Sequence, residues 1–247
     1  MAHIIILAGG KGTRMKSELP KVLHEVKGKP LIGHLLSRVS SICADPTLII
    51  GYKAEEVRQA TENKYHYVEQ KEQLGTGHAI LCAREDLKDK DLGTIIILPG
   101  DHPLIEAETL NYLQELHTQK DAAVTLATTI VPNFEGEYAT FSHYGRVIRA
   151  GDGTVDRIVE YKDATEEERA CREVNLSYYC FKADWLWENI TKLSNNNAAG
   201  EFYLTDMVHM AKEQGHVVAA YPIQGLVECL GINTPEQLQM MEAAIVD

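Results

Sequence analysis

Arg14 and Lys21 follow closely on a run of glycines, in the stretches LAGGKGTRM (7–15) and LPKVLH (19–24). Cations beside exposed backbone amides suit phosphate chemistry, because transfer at phosphorus is catalysed largely by positioning and by offsetting charge. The loop is not a Walker-type loop, since Lys11 is followed by Gly12 and not by a hydroxyl. Nor is it a dinucleotide fingerprint, because Met15 stands where the third glycine belongs. Pro20 narrows the freedom of the backbone just before Lys21. Asp101 closes the run TIIILPGD; a hard cation such as Mg²⁺ takes one or two such oxygens from protein and the rest from phosphates and water. Glu160, at the end of one strand, and Asn175, within another, are polar groups suited to sugar hydroxyls. Each of these has a plainer reading that the residues alone leave open: a tight turn, a solvated basic loop, a turn aspartate before Pro103, an edge strand facing water. No Ser/His/Asp or Cys/His arrangement is apparent, and the ten histidines form no metal-ligand cluster.

The elements that must position these residues alternate in type. Ile4–Leu7, Thr47–Ile50, His66–Val68, Thr94–Leu98 and Ala122–Thr129 read as strands; Leu31–Val39, Ala54–Thr61, Thr76–Arg84 and Ala107–His117 read as helices. This βαβα order predicts an α/β fold with a mostly parallel sheet. Ligands then belong at the carboxyl ends of the strands, in the loops after Leu7, after Val68 and at Pro99-Gly100-Asp101. The second half changes character, with a hairpin at 146–160, a strand at Val174–Phe181, helices at Asp184–Leu193 and Phe202–Gln214, and late strands at His216–Tyr221 and Val227–Leu230. Thr234 caps a closing helix with Pro235 in its first position. No linker separates the halves, so a single unit over 1–247 is expected, with a nucleotide-binding half to about 130 and a second-substrate half from about 131.

Net charge is −12, while residues 1–30 carry +4, leaving −16 on the rest. That balance argues against a nucleic-acid partner and for focusing small anions on one loop. Five scattered cysteines, in no zinc spacing, fit reduced usage. With neither a signal-peptide pattern nor a transmembrane-length run, a cytoplasmic location without membrane contact is expected.

Taken together, LAGGKGTRM, LPKVLH, EQLGTGHA (72–79), PGDHPLI (99–105), YGRV (144–147), IVEYKDAT (158–165), EVN (173–175), NNNAAGEFYLTD (195–206) and GIN (231–233) cover nearly the whole chain. In that order they resemble the N-terminal uridyltransferase (pyrophosphorylase) domains of the bacterial bifunctional enzymes that make UDP-N-acetylglucosamine, within the sugar nucleotidyltransferases. The first motif is general to such transferases; EQLGTGHA, the KDAT segment and NNNAAGEFYLTD are specific to this branch. The resemblance implies a Rossmann-like mixed, mostly parallel sheet flanked by helices, the nucleotide-diphospho-sugar transferase fold, with a smaller β-rich sugar-binding half. It implies Mg²⁺-dependent transfer of UMP from UTP to N-acetylglucosamine 1-phosphate. It places Leu7, Ala8, Gly9, Gly10, Gln70, Gly75, Thr76, Gly100 and Asp101 against the nucleotide, with Gln70, Gly75 and Thr76 reading uracil. Arg14 and Lys21 become the catalytic phosphate-binding cations, Asp101 and Asn233 the Mg²⁺ ligands, and Gly145, Glu160 and Asn175 the sugar contacts.

This sequence departs from the family at Leu176-Ser177, where Thr-Gly is usual, and at Leu230, where an acidic residue is usual. The first departure opens a second expectation, the same reaction on another sugar 1-phosphate such as glucose 1-phosphate. A third, a catalytically silent sugar-nucleotide-binding module, would be marked by lost cations or metal ligands, and all four are present. No hexapeptide repeats occur, so neither acetyltransferase activity nor a β-helix trimer is expected, and the assembly is expected to be a monomer or small homo-oligomer.

Overall fold

A computed structural model describes residues 2–244. Met1 and residues 245–247, part of the unit expected over 1–247, lie outside the described residues.

The chain runs β1 (Ala2–Leu7), a short ribbon of β2 (Glu25–Val26) and β3 (Lys29–Pro30), α1 (Leu31–Val39), β4 (Thr47–Ile50), α2 (Ala54–Ala60), β5 (His66–Glu69), α3 (Thr76–Leu87), β6 (Thr94–Pro99), α4 (Ala107–Gln119) and β7 (Val124–Ile130). The second half adds β8 (Arg146–Arg149), β9 (Val155–Val159), α5 (Glu166–Arg169), β10 (Glu173–Lys182), α6 (Ala183–Asn189), α7 (Asp206–Glu213), β11 (Val218–Pro222) and α8 (Pro235–Ala244). The main sheet has the order β11-β7-β10-β6-β1-β4-β5, with the β8–β9 hairpin attached to β10. β6, β1, β4 and β5 pair in parallel, and so do β11 and β7. β10 enters antiparallel between β6 and β7. The sheet is thus mixed and mostly parallel, the α/β class expected.

Burial explains why the central strands are continuous apolar runs. A parallel strand covered on both faces has no side free for polar residues. Ile4, Ile6, Leu48, Ile50, Ile96 and Leu98 share one core with Ile32, Leu35 and Val39 of α1 and Leu110 and Leu113 of α4. Ile5, Ile49, Ile95 and Ile97, alternating with them, pack the other way against Ile80 and Leu87 of α3 and Met207 and Val208 of α7. The chain leaves β1 for β4 and β5 on one side and returns to β6 on the other. A crevice therefore opens at the carboxyl ends of β1 and β6, where the direction of winding reverses.

Two expected elements differ. Val227–Leu230 is not a strand; it lies in a turn closed by the Cys229 amide on the Leu226 carbonyl. Its apolar residues pack through that turn, and a run so short does not distinguish a strand from a turn. The helix expected from Phe202 begins at Asp206. Backbone groups at 202–204 are spent on the 74–77 segment: Phe202 N donates to Leu74 O, Gly77 N to Phe202 O, and Leu204 N to Thr76 Oγ1. The closing helix starts as expected, with Thr234 and Gln237 capping each other's amides.

Candidate active site

Because β1, β4, β5 and β6 run in parallel, their carboxyl ends share one edge, and Gly9, Gly51, Gln70 and Asp101 meet there. A cavity of about 300 Å³ opens at this edge. Leu7, Gly9, Gly10, Gln70, Gly75, Thr76 and Asp101 line it, together with Lys21. Ala8 and Gly100 are not in its lining and tie strands together: Ala8 N donates to Ile49 O at 2.8 Å, and Gly100 N to Leu7 O at 2.9 Å. Gln70, at the end of β5, is 5% exposed. Its Nε2 donates to Gly75 O at 3.0 Å and bonds His78 Nδ1 at 3.0 Å. Gly75 holds φ at +108°, and a Cβ there would come within 2.6 Å of Phe202 O. Only glycine suits that bend against the 201–202 backbone.

A second cavity, of about 540 Å³, adjoins the first through Glu201, which lines both. Arg14, Glu160, His143, Tyr161 and Tyr203 line it. Glu160 follows β9 directly and accepts from Thr205 Oγ1 at 3.0 Å. Burial raises its pKa, and Asp206, Asp163 and Glu201 add to the rise. Gly145 sits beside it; a Cβ there would be 3.6 Å from Glu160 Oε2. Asn175 N donates to Gly145 O at 2.9 Å. The Asn175 side chain, however, is 3% exposed and is spent within the bulge of β10. Its Nδ2 donates to Tyr179 OH at 2.7 Å and Ser177 Oγ at 3.4 Å, and its Oδ1 accepts from Ser177 N at 3.1 Å.

Between the cavities the cations and oxygen donors converge. Lys21 Nζ donates to Asp101 Oδ2 and, at 2.6 Å, to Asn233 Oδ1; Arg14 Nη2 reaches the same Asn233 oxygen at 2.7 Å. Burial pushes the Asp101 pKa up, but the Lys21 charge and its hydrogen bond more than offset this, and the carboxyl is held below its ordinary value. The three loops involved share one apolar anchor, in which Met15, Leu104 and Ile232 pack with Val26, Leu31 and Met241. Met15, Leu104 and Ile232 each lie within three positions of Arg14, Asp101 or Asn233.

Asp101 and Asn233 offer one carboxylate and one amide oxygen, both already converged on a single positive group. That donor set fits Mg²⁺, which keeps several waters and phosphate oxygens of its own. Among the described residues no group of three or more His, Cys, Asp or Glu is arranged to hold a metal. Leu230, at the position of the family's usual acid, packs among apolar side chains and adds no oxygen.

Sequence reasoning assigned no role to Glu201, Tyr203, Tyr161 or His143. Glu201 and Tyr203 lie within NNNAAGEFYLTD, so the motif was visible while their place at the cavities was not. Of the two departures after Asn175, Leu176 is buried in the core and Ser177 alone stands beside the Asn175 amide.

The profile described as "MobA-like NTP transferase domain" matches residues 4–198. The bifunctional protein GlmU of Shouchella clausii is 43% identical over 242 residues, covering 98% of this chain and 52% of that protein. Its counterpart from Listeria monocytogenes is 42% identical over 243 residues, covering 98% and 51%. The chain spans about half the length of these curated relatives. Among solved structures, HddC from Yersinia pseudotuberculosis superposes with a TM-score of 0.70 over 99% of each chain at 20% identity. At that identity the likeness is one of fold. No helix among the described residues is long and apolar enough to cross a membrane.

Proposed function

The chain belongs to the MobA-like NTP transferase family, and from that premise we propose that it transfers UMP from UTP to N-acetylglucosamine 1-phosphate, giving UDP-N-acetylglucosamine and pyrophosphate. One observation carries the reading: Lys21, Arg14, Asp101 and Asn233 converge at the junction of two adjoining cavities. A nucleotidyl transfer needs one site for the nucleotide, one for the acceptor, and positive charge where they meet.

The nucleophile is a phosphate oxygen and is already an anion, so no general base is required. The barrier is repulsion between anions and the need to align them. Lys21 and Arg14 stand where the α-phosphate would bridge the cavities, and their charge offsets the repulsion. Asp101 and Asn233 are the residues that would hold Mg²⁺, which when bound neutralises phosphate charge. The glycine loop at Gly9-Gly10 lets the triphosphate approach the backbone closely. Gln70 sits against Gly75, where a pyrimidine's imide edge would lie. Glu160, buried and acidic, suits sugar hydroxyls, which would donate to its oxygens.

A second reading keeps the reaction and changes the sugar. Ser177 favours it, because its hydroxyl accepts from the side-chain amide of Asn175, whose backbone bonds Gly145 beside Glu160. A silent binding module is disfavoured by the convergence at Lys21.

Replacement of Lys21 by Met tests the junction. The expected result is a fall in kcat of about 10²–10³-fold, the cost of losing one preorganised donor to transition-state charge, with little change in the KM for UTP. A rise in KM alone would make Lys21 a ground-state binder.

A further inference from the structure

The arm that carries Asn233 rests on the arm that carries Asp101 through one close approach. A Cβ on Gly231 would lie 2.2 Å from Nε2 of His102 and 2.8 Å from its Cδ2. Gly231 is not among the positive-φ glycines, so space and not backbone conformation demands a glycine there. His102 is itself fixed. It is 5% exposed, its Nδ1 lies 2.6 Å from the Tyr178 hydroxyl, and the two rings meet edge-on at 5.2 Å. Tyr178 donates its proton to the Glu228 carbonyl at 2.8 Å, so His102 Nδ1–H must donate to the phenol oxygen. The facing arm is tied down as well: Gly231 N donates to Tyr144 OH at 3.0 Å, and Ile232 N to Asp101 O at 3.0 Å. His102 adjoins Asp101 in sequence, and Gly231 lies two residues before Asn233. Imidazole and glycine therefore meet as a spacer between two oxygen-bearing arms. Neither lines either cavity.

We propose that His102 is a positioning residue, braced by Tyr178 and seated on Gly231, that sets the separation of the Asp101 and Asn233 oxygens and so the hold of this pair on a divalent cation. The inference rests on the reading of Asp101 and Asn233 as the metal-holding pair. Mg²⁺ demands near-ideal octahedral geometry, so a small displacement of one arm weakens the pair.

The test is calorimetric titration of the full chain with UTP, once in EDTA and once with excess Mn²⁺. The ratio of the two affinities reads the metal's contribution apart from the nucleotide's. Asp101→Ala sets the floor of that ratio. Gly231→Ala should lower it by about tenfold, the usual scale for disturbing a ligand's support, and leave UTP affinity in EDTA unchanged. His102→Ala added to Gly231→Ala should restore most of the ratio, because the new methyl occupies the space the imidazole leaves. A general structural defect would worsen with the second truncation. Tyr178→Phe, which unbraces His102 without crowding it, should lower the ratio by a smaller factor and decides the matter if Gly231→Ala does not fold. A wild-type ratio in Gly231→Ala, a double variant no better than the single one, or, in the non-folding case, a wild-type ratio in Tyr178→Phe would overturn the proposal. Wild-type protein with a ratio no higher than Asp101→Ala would remove the metal-pair reading itself, and this proposal with it.

Discussion

Gln70 donates to Gly75 O and to His78 Nδ1, which uses both hydrogens of its amide. What it has left for a base is its oxygen, an acceptor matched to the N3–H of uracil and mismatched to the bare N3 of cytosine. Gln70→Ala should raise the KM for UTP by about tenfold, a hydrogen bond's worth, and shrink the preference for UTP over CTP. The two values of kcat/KM check this, and an unchanged preference would take Gln70 out of base reading. Residue types alone flagged Arg14, Lys21, Asp101, Glu160 and Asn175, because such groups at strand ends or beside glycines suit phosphates, metals and sugars, although each also has a plain use there. They did not show that Lys21 bonds both Asp101 and Asn233, since the asparagine lies far along the chain and no spacing rule links them. Only the resemblance reached Asn233. Ala8 was also reached that way, whereas Gly100 and Asn175 stood out from their places in the strands; the backbone amides of Ala8 and Gly100 and the side chain of Asn175 are engaged inside the protein. Glu201 and Tyr203 were overlooked because nothing local separates a cavity-lining polar residue from a solvated one.

Elements were most legible where one period dominates. β1, β4 and β6 are unbroken apolar runs because both faces are covered, and α1 shows a single apolar stripe because only one face is. Segments whose conformation depends on distant partners were not legible, as with 202–205, which is held by α3 and its preceding turn. α4 carries a consequence for stability. His117 on that helix is 4% exposed and faces Thr125 of β7, with Nδ1 and Oγ1 3.0 Å apart. Burial, with a smaller push from Lys182, lowers its pKa from 6.5 to about 4. The folded state keeps this histidine neutral while the unfolded chain takes up a proton at its ordinary pKa. The stability it protects is whole above pH 6.5 and is lost as pH falls toward 4. His102, lowered to about 4 by burial, acts in the same window. Denaturant unfolding across this range should show stability falling with acid. In His117→Gln the slope should flatten by up to one proton's worth, about 1.4 kcal/mol per pH unit. An identical slope would mean that His117 is already charged in the folded state.

At the scale of the whole molecule, the winding reversal at β1 and the insertion of β10 bring the two halves to a shared edge. The smaller cavity forms on the parallel strands, with Lys21 in its lining; the larger forms on the segments that flank the β8–β9 hairpin and on the 199–203 loop, with Arg14 in its lining. The alternation of strands and helices foretold the parallel part. It did not foretell β10, because antiparallel entry between β6 and β7 leaves no mark in an apolar strand's sequence. The proposed transfer depends on this two-sided arrangement and on its acceptor. The most direct test is pyrophosphate release by the full chain with UTP, Mg²⁺ and a panel of sugar 1-phosphates. Release is expected with N-acetylglucosamine 1-phosphate and little with glucose 1-phosphate. Release with another sugar alone would move the specificity to the second reading, at Ser177, and no release with any sugar 1-phosphate would contradict the transferase assignment itself.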